Sequence, residues 1–160
     1  MIIGSILFVV YAFLVLRFFR HSFLNKNEVK YVLVGGYSVI YHGFPRTTGD
    51  IDLFVEVSKN NYDKLVQAFE QFQMPLFDMT EESFLHQAHI NVYTFGRPPV
   101  CIEILKEISG FTFQEIYNNA LETVFEEIPM KVSHINDLKR NKEISGRAKD
   151  LNDLENLSKL

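Results

Sequence analysis

Asp50-Ile51-Asp52 sets two carboxylates two positions apart inside an apolar run. In a strand, residues i and i+2 face the same way, so both acids can meet at one point in space. Oxygen-only donors of this kind suit hard divalent cations, which share their coordination readily with substrate phosphates. A third isolated acid, Glu103, stands in the alternating segment Val100 to Leu105. Brought beside the first two, it would complete a site for one metal or for two held about 3.5–4 Å apart, clamping attacking and leaving oxygens. The plain alternative is a solvated strand face that simply carries acids.

Upstream, the apolar run Tyr31 to Val34 ends in Gly35-Gly36-Tyr37-Ser38, and Asp50 follows Gly36 by fourteen positions. Glycines at such a turn allow backbone conformations closed to residues with a Cβ, and a helix starting there aims free N–H groups at an anion. Ser38 adds a hydroxyl donor. Arg46, close to the acids in sequence, is a candidate for neutralising phosphate charge, its alternative being an ion pair with an acid. His42 reads as a helix-packing or capping group rather than a base. Lys139, Arg140, Lys142, Arg147 and Lys149 form the one basic concentration, net +2 over Asn136 to Asp150 after Asp137, Glu143 and Asp150 are counted. By itself such a run usually reads as a solvated helix face.

Positioning these residues requires a particular order of elements. Tyr31–Val34 has the continuous apolar character of a buried strand, and Tyr37–Tyr41 is a short helix stopped by Gly43 and Pro45. From Ile51 to Val57 the chain alternates, with Ile51, Leu53, Val55 and Val57 on one face and Asp50, Asp52, Phe54 and Glu56 on a wet or functional one. Ser58 is positioned to cap a helix running to Phe72, where apolar residues recur at helical spacing. Leu76 to Ala88 has little pattern. Ile90–Phe95 and Val100–Leu105 read as strands, Thr123–Ile128 and Met130–Ser133 as a hairpin split near Pro129, and Asn136–Ile144 and Lys149–Leu160 as helices.

The 160 residues, 47% of them hydrophobic, suffice for one packed core and exclude a disordered chain. A formal charge of -4 removes any general basic footprint, so nucleic-acid contact would need a local patch. The lone Cys101 rules out an intramolecular disulfide and a cysteine zinc site, and is most simply a small core residue. Residues 1–24 stand apart as an apolar helix ahead of a domain over 25–160. Met1 to Leu16 carry no charge, and Arg17 and Arg20 close the run. A membrane anchor, a buried or partner-facing helix, and a translation start placed too early are three readings of it. If inserted, its basic flank would leave the domain on the cytoplasmic side, with residues 1–20 touching the membrane.

Taken together, Gly35-Gly36, Asp50-Ile51-Asp52 and the later isolated acid resemble the nucleotidyltransferase superfamily that includes DNA polymerase beta. The likeness is nearest to small prokaryotic members: minimal nucleotidyltransferases, abortive-infection nucleotidyltransferase toxins and related domains of unknown function. It spans Val29 to Leu157 and includes the stretches GGYSVIYHGFPRTTGDIDLFVE, PPVCIEILKEISG and LKRNKEISGRAKDLNDLENL. The resemblance implies an α/β (α+β) fold with a mixed central sheet flanked by helices. It implies transfer of a nucleoside monophosphate from an NTP to a hydroxyl, with Mg2+ or Mn2+ as cofactor. By position, Gly35, Gly36 and Ser38 would hold phosphates, Asp50 and Asp52 the metal, and Glu103 would stand where the family usually has Asp. Arg46, Lys142, Arg147 and Lys149 would line the nucleotide or acceptor site. The acceptor it suggests is a tRNA or a protein, within a toxin–antitoxin type of system. The rival expectation is a degenerate, antitoxin-like binding module of the same fold, with Glu103 as a sign of decay.

Overall fold

The computed structural model describes residues 23–97, 100–125 and 128–159. The apolar segment at residues 1–20, and the membrane contact expected of it, lie outside the described residues. Among those residues, no helix is long and apolar enough to cross a membrane.

The chain forms a mixed α/β structure around one six-stranded sheet. In chain order the elements are α1 (Phe23–Lys26), β1 (Tyr31–Leu33), α2 (Gly35–Tyr41), β2 (Asp50–Val55), α3 (Lys59–Gln71), α4 (Glu81–His86), β3 (Val92–Arg97), β4 (Val100–Leu105), α5 (Phe113–Asn119), β5 (Leu121–Phe125), β6 (Ile128–Val132), α6 (Ile135–Ser145) and α7 (Ala148–Leu157). The strand order is β3-β4-β2-β1-β6-β5. β1 is antiparallel to β2 and parallel to β6, and β2 is parallel to β4, so the sheet mixes both pairings. The two parallel pairs meet around β1 and β2, the central strands that carry the glycine turn and the two aspartates.

Alternation along these strands builds two different faces. Leu33, Ile51, Leu53, Val55, Tyr93, Phe95, Ile102 and Ile104 belong to the main core together with Tyr62, Leu65 and Phe69 of α3 and Phe84 of α4. Ser58 caps α3 by accepting from the Asn61 N–H, as its position in the sequence suggested. The opposite face carries a smaller cluster of Val32, Val34, Phe54 and Ile116, with Leu105 and Phe113 packed on it. That cluster fills one part of the face. The carboxylates occupy another.

Several elements depart from the sequence reading. α4 forms within the weakly patterned Leu76–Ala88 stretch because Thr80 and Ser83 make a reciprocal capping box, each side chain bonding the other's backbone N–H. α5 has no counterpart in the apolar pattern of the sequence, and it too starts on a capping box, Thr112 with Glu115. It covers Phe54, whose ring meets Phe113 edge-on at 5.3 Å, so Phe54 is buried although it alternates with the acids. The hairpin does not divide at Pro129. Pro129 lies inside β6, opposite Val124, and its carbonyl accepts from the Asn25 amide at 2.6 Å. The missing N–H is tolerated there because β6 meets β1 only further along, at Leu33 opposite Val132.

Candidate functional site

The parallel pairing of β2 with β4 sets Asp52 directly opposite Glu103, and Asp50 opposite Cys101. Adjacent strands lie about 4.8 Å apart, so a carboxylate from each strand enters the same small volume. Three acids drawn from two strands thus face one cleft of about 730 Å3. Its lining includes Val34, Gly35 and Gly36 from the glycine turn, residues Arg46 to Asp50, and Asn141, Lys142, Ser145, Arg147, Lys149 and Asp150 from the C-terminal helices.

The glycine turn and Asp52 fit each other closely. Gly35 has φ +61°, and a Cβ there would fall on the Asp52 carboxylate, so both the conformation and the space exclude a side chain. A Cβ on Gly36 would press on the Thr48 hydroxyl. No side chain caps α2 at Val34; instead the Gly36 N–H reaches Asp52 Oδ2 at 3.4 Å. We expect Gly35→Ala to cost about 1–3 kcal/mol from backbone strain alone, and more from displacing Asp52. Thermal unfolding checks this, and an unchanged melting temperature would contradict it.

Burial and the neighbouring charge of Glu103, with a smaller contribution from Asp50, push the Asp52 carboxyl up to about 6 against the pull of the Gly36 N–H. This is the electrostatic signature of like charges held together out of water. A divalent cation would relieve it, and the donors are all hard oxygens, so Asp50, Asp52 and Glu103 fit Mg2+ or Mn2+ by chemistry. Among the described residues no group of three His, Cys, Asp or Glu side chains is gathered as a preformed metal cage.

The C-terminal wall is a chain of alternating charges. Arg46 pairs with Asp153 at 2.5 Å, Lys142 bonds Asp153 at 2.7 Å and Asp150 at 2.9 Å, and Arg147 reaches Asp150 at 2.6 Å. Lys142, Asp150 and Asp153 are almost wholly buried. Burial pushes the Asp150 carboxyl up, but hydrogen bonds from Lys142, Arg147 and Ser145 outweigh it and hold the group down to about 2. Lys149 lies exposed at the rim.

Of the residues picked from sequence, the cleft gathers Gly35, Gly36, Arg46, Asp50, Asp52, Glu103, Lys142, Arg147 and Lys149. Ser38 stands apart from them: it is buried and its hydroxyl is bonded to that of Ser133 at 2.8 Å. His42 closes α2, its Nε2–H donating to the Ser133 carbonyl at 2.8 Å. Cys101 is buried in the sheet. Residues not singled out earlier include Thr48, Asn141, Asp150 and Asp153. The two aspartates carried a readable signal, since acids at i and i+3 on a helix share a face, directly after a basic run. Searched against protein-family models and against curated proteins, the chain matches none.

Proposed function

We propose that this protein is a metal-dependent nucleotidyltransferase of the DNA polymerase beta-like fold, moving a nucleoside monophosphate from an NTP to a hydroxyl on a tRNA or protein. The observation that carries this reading is the meeting of Asp50, Asp52 and Glu103 in a cleft bordered by Gly35-Gly36. Bound at those carboxylates, Mg2+ would neutralise triphosphate charge and orient the reacting phosphate. The close approach that Gly35 and Gly36 permit lets the phosphate tail lie against backbone, and Arg46 offers a fork of donors to its oxygens. The acceptor oxygen bonds to the α-phosphorus as the α–β anhydride bond breaks, and pyrophosphate leaves with the electron pair. Glu103 accepts the hydroxyl proton.

The test is transfer of α-labelled NTP to a cell extract, with label sought separately in RNA and protein. Label should require divalent metal and should fall at least about 1,000-fold in Asp50→Ala, the loss expected when a carboxylate acting in the transition state is removed. Label that persists in Asp50→Ala would sink the proposal.

One observation favours the alternative of a non-catalytic, antitoxin-like binding module. Arg46, Lys142 and Arg147 already have carboxylate partners, so the cationic wall is satisfied without a ligand. Metal-dependent NTP binding that disappears in Asp50→Ala separates the two, because the binding module has no need of it.

A further inference from the structure

We propose that Asp153 is a positioning residue that holds the Arg46 guanidinium at the cleft, where it receives the phosphate chain of the substrate. The inference rests on reading this cleft as a triphosphate site.

Arg46 belongs to the stretch 44–49, which has no regular secondary structure, and arginine carries several freely rotating bonds. Left alone, such a side chain would sample many positions. Here its NH1 group donates to Asp153 Oδ2 at 2.5 Å and its Nε–H to the Thr47 carbonyl at 3.4 Å. The side chain of Asp153 is 1% exposed and that of Arg46 is 20% exposed. A buried anchor therefore grips a partly exposed cation, and the remaining guanidinium donors stay on a residue that lines the cleft. Lys142 bonds Asp153 at 2.7 Å as well as Asp150 at 2.9 Å, and Arg147 also serves Asp150, so two carboxylates already meet two cations before Arg46 is counted. A further cation on Asp153 is surplus to that structural need, and it keeps a planar fork suited to phosphate on a residue that lines the same cleft as the acids. Asp153 thereby acts on the site through Arg46 without itself lining the cleft.

A double-mutant cycle on Mg2+-inorganic triphosphate binding, followed by titration calorimetry, tests this. Arg46→Ala is expected to weaken binding about tenfold, the scale of one charged hydrogen-bond pair. Asp153→Asn should weaken it nearly as much, and in the Arg46→Ala background it should add nothing. A purely structural Asp153 would instead give losses that add, and additive losses overturn the proposal. If Asp153→Asn melts below the assay temperature, Arg46→Lys carries the same test. It keeps the charge but loses the fork, and should bind triphosphate about as weakly as Arg46→Ala; wild-type affinity would overturn the proposal. Triphosphate binding by the unaltered protein without nucleotidyl transfer rejects the proposed reaction and leaves this inference standing. Transfer with undiminished triphosphate affinity in Arg46→Ala does the reverse, and absence of triphosphate binding by the unaltered protein overturns the inference.

Discussion

Asp52→Asn is expected to make the protein more stable at pH 8 while abolishing the proposed nucleotidyl transfer. The Asp52 carboxyl is raised to about 6 in the fold, chiefly by burial and then by Glu103. A carboxylate whose folded value exceeds its unfolded value of 3.8 opposes folding when charged. The penalty is absent below pH 3.8, develops as pH rises to about 6, and is complete above that. Asn removes the charge and can still accept from the Gly36 N–H, so the gain at pH 8 is about 1–3 kcal/mol. Thermal unfolding of both proteins at pH 8 and pH 4 checks this: the melting temperatures should differ by several degrees at the higher pH and converge at the lower one. A variant that melts lower than the parent at pH 8 would refute the account of Asp52 as a strained charge. The proposed nucleotidyl transfer should fall roughly 1,000-fold in the same variant, about 4 kcal/mol of transition-state stabilisation. Added Mg2+ should raise the melting temperature of the parent and leave Asp52→Asn nearly unmoved, because only a ligand bound by the folded state stabilises it. Under the proposed function, stability and catalysis are opposed at this one carboxylate.

Lys142→Met should act in the other direction, lowering stability by about 3–5 kcal/mol, the usual cost of stranding a buried partner charge. Lys142 is 4% exposed and bonds both Asp150 and Asp153. Arg147 and Arg46 remain to compensate each acid in part, which sets the expectation toward the lower end of that range. The melting temperature should fall by about 10 °C. The acid limb should change as well. With Asp150 held down to about 2, its contribution is fully present above pH 3.8 and is lost as pH falls through about 2. Without Lys142 that loss should begin at higher pH, because the first hydrogen bond holding the group down is gone. If Lys142→Met unfolds like the parent from pH 2 to 8, the buried network has no structural weight, and Lys142 would be free to act on a ligand instead. Across the two carboxylates the pH dependences run oppositely. Asp52 favours folding on protonation and Asp150 disfavours it, so their combined contribution is greatest near their shared unfolded value of 3.8 and declines as pH rises toward 6 or falls toward 2.

Local chemistry made much of the architecture readable in advance. Period-two alternation marked β2 and β4 and put Asp50 with Asp52. Ser58 marked the start of α3, and glycines marked the turn after β1. Where the sequence reading fell short, the deciding interaction was a short-range cap or a long-range cover. Thr80-Ser83 and Thr112-Glu115 start helices too short to show an apolar period. Phe54 alternates with the acids, so nothing local distinguishes it from a wet position until α5 lies over it.

The same division runs through the site. Along the chain alone it is legible that two carboxylates share a strand face, that glycines free the preceding turn of side chains, and that a third acid and a basic run lie downstream. These follow from backbone geometry within a few residues. Tertiary structure alone decided that Glu103 stands opposite Asp52, because strand register depends on which strands pair. It also decided that Ser38 turns to Ser133 in the interior, and that Lys142 sits between Asp150 and Asp153, tying Arg46 to α7. Charges that look interchangeable along the chain acquire separate roles once burial fixes which of them must be paired.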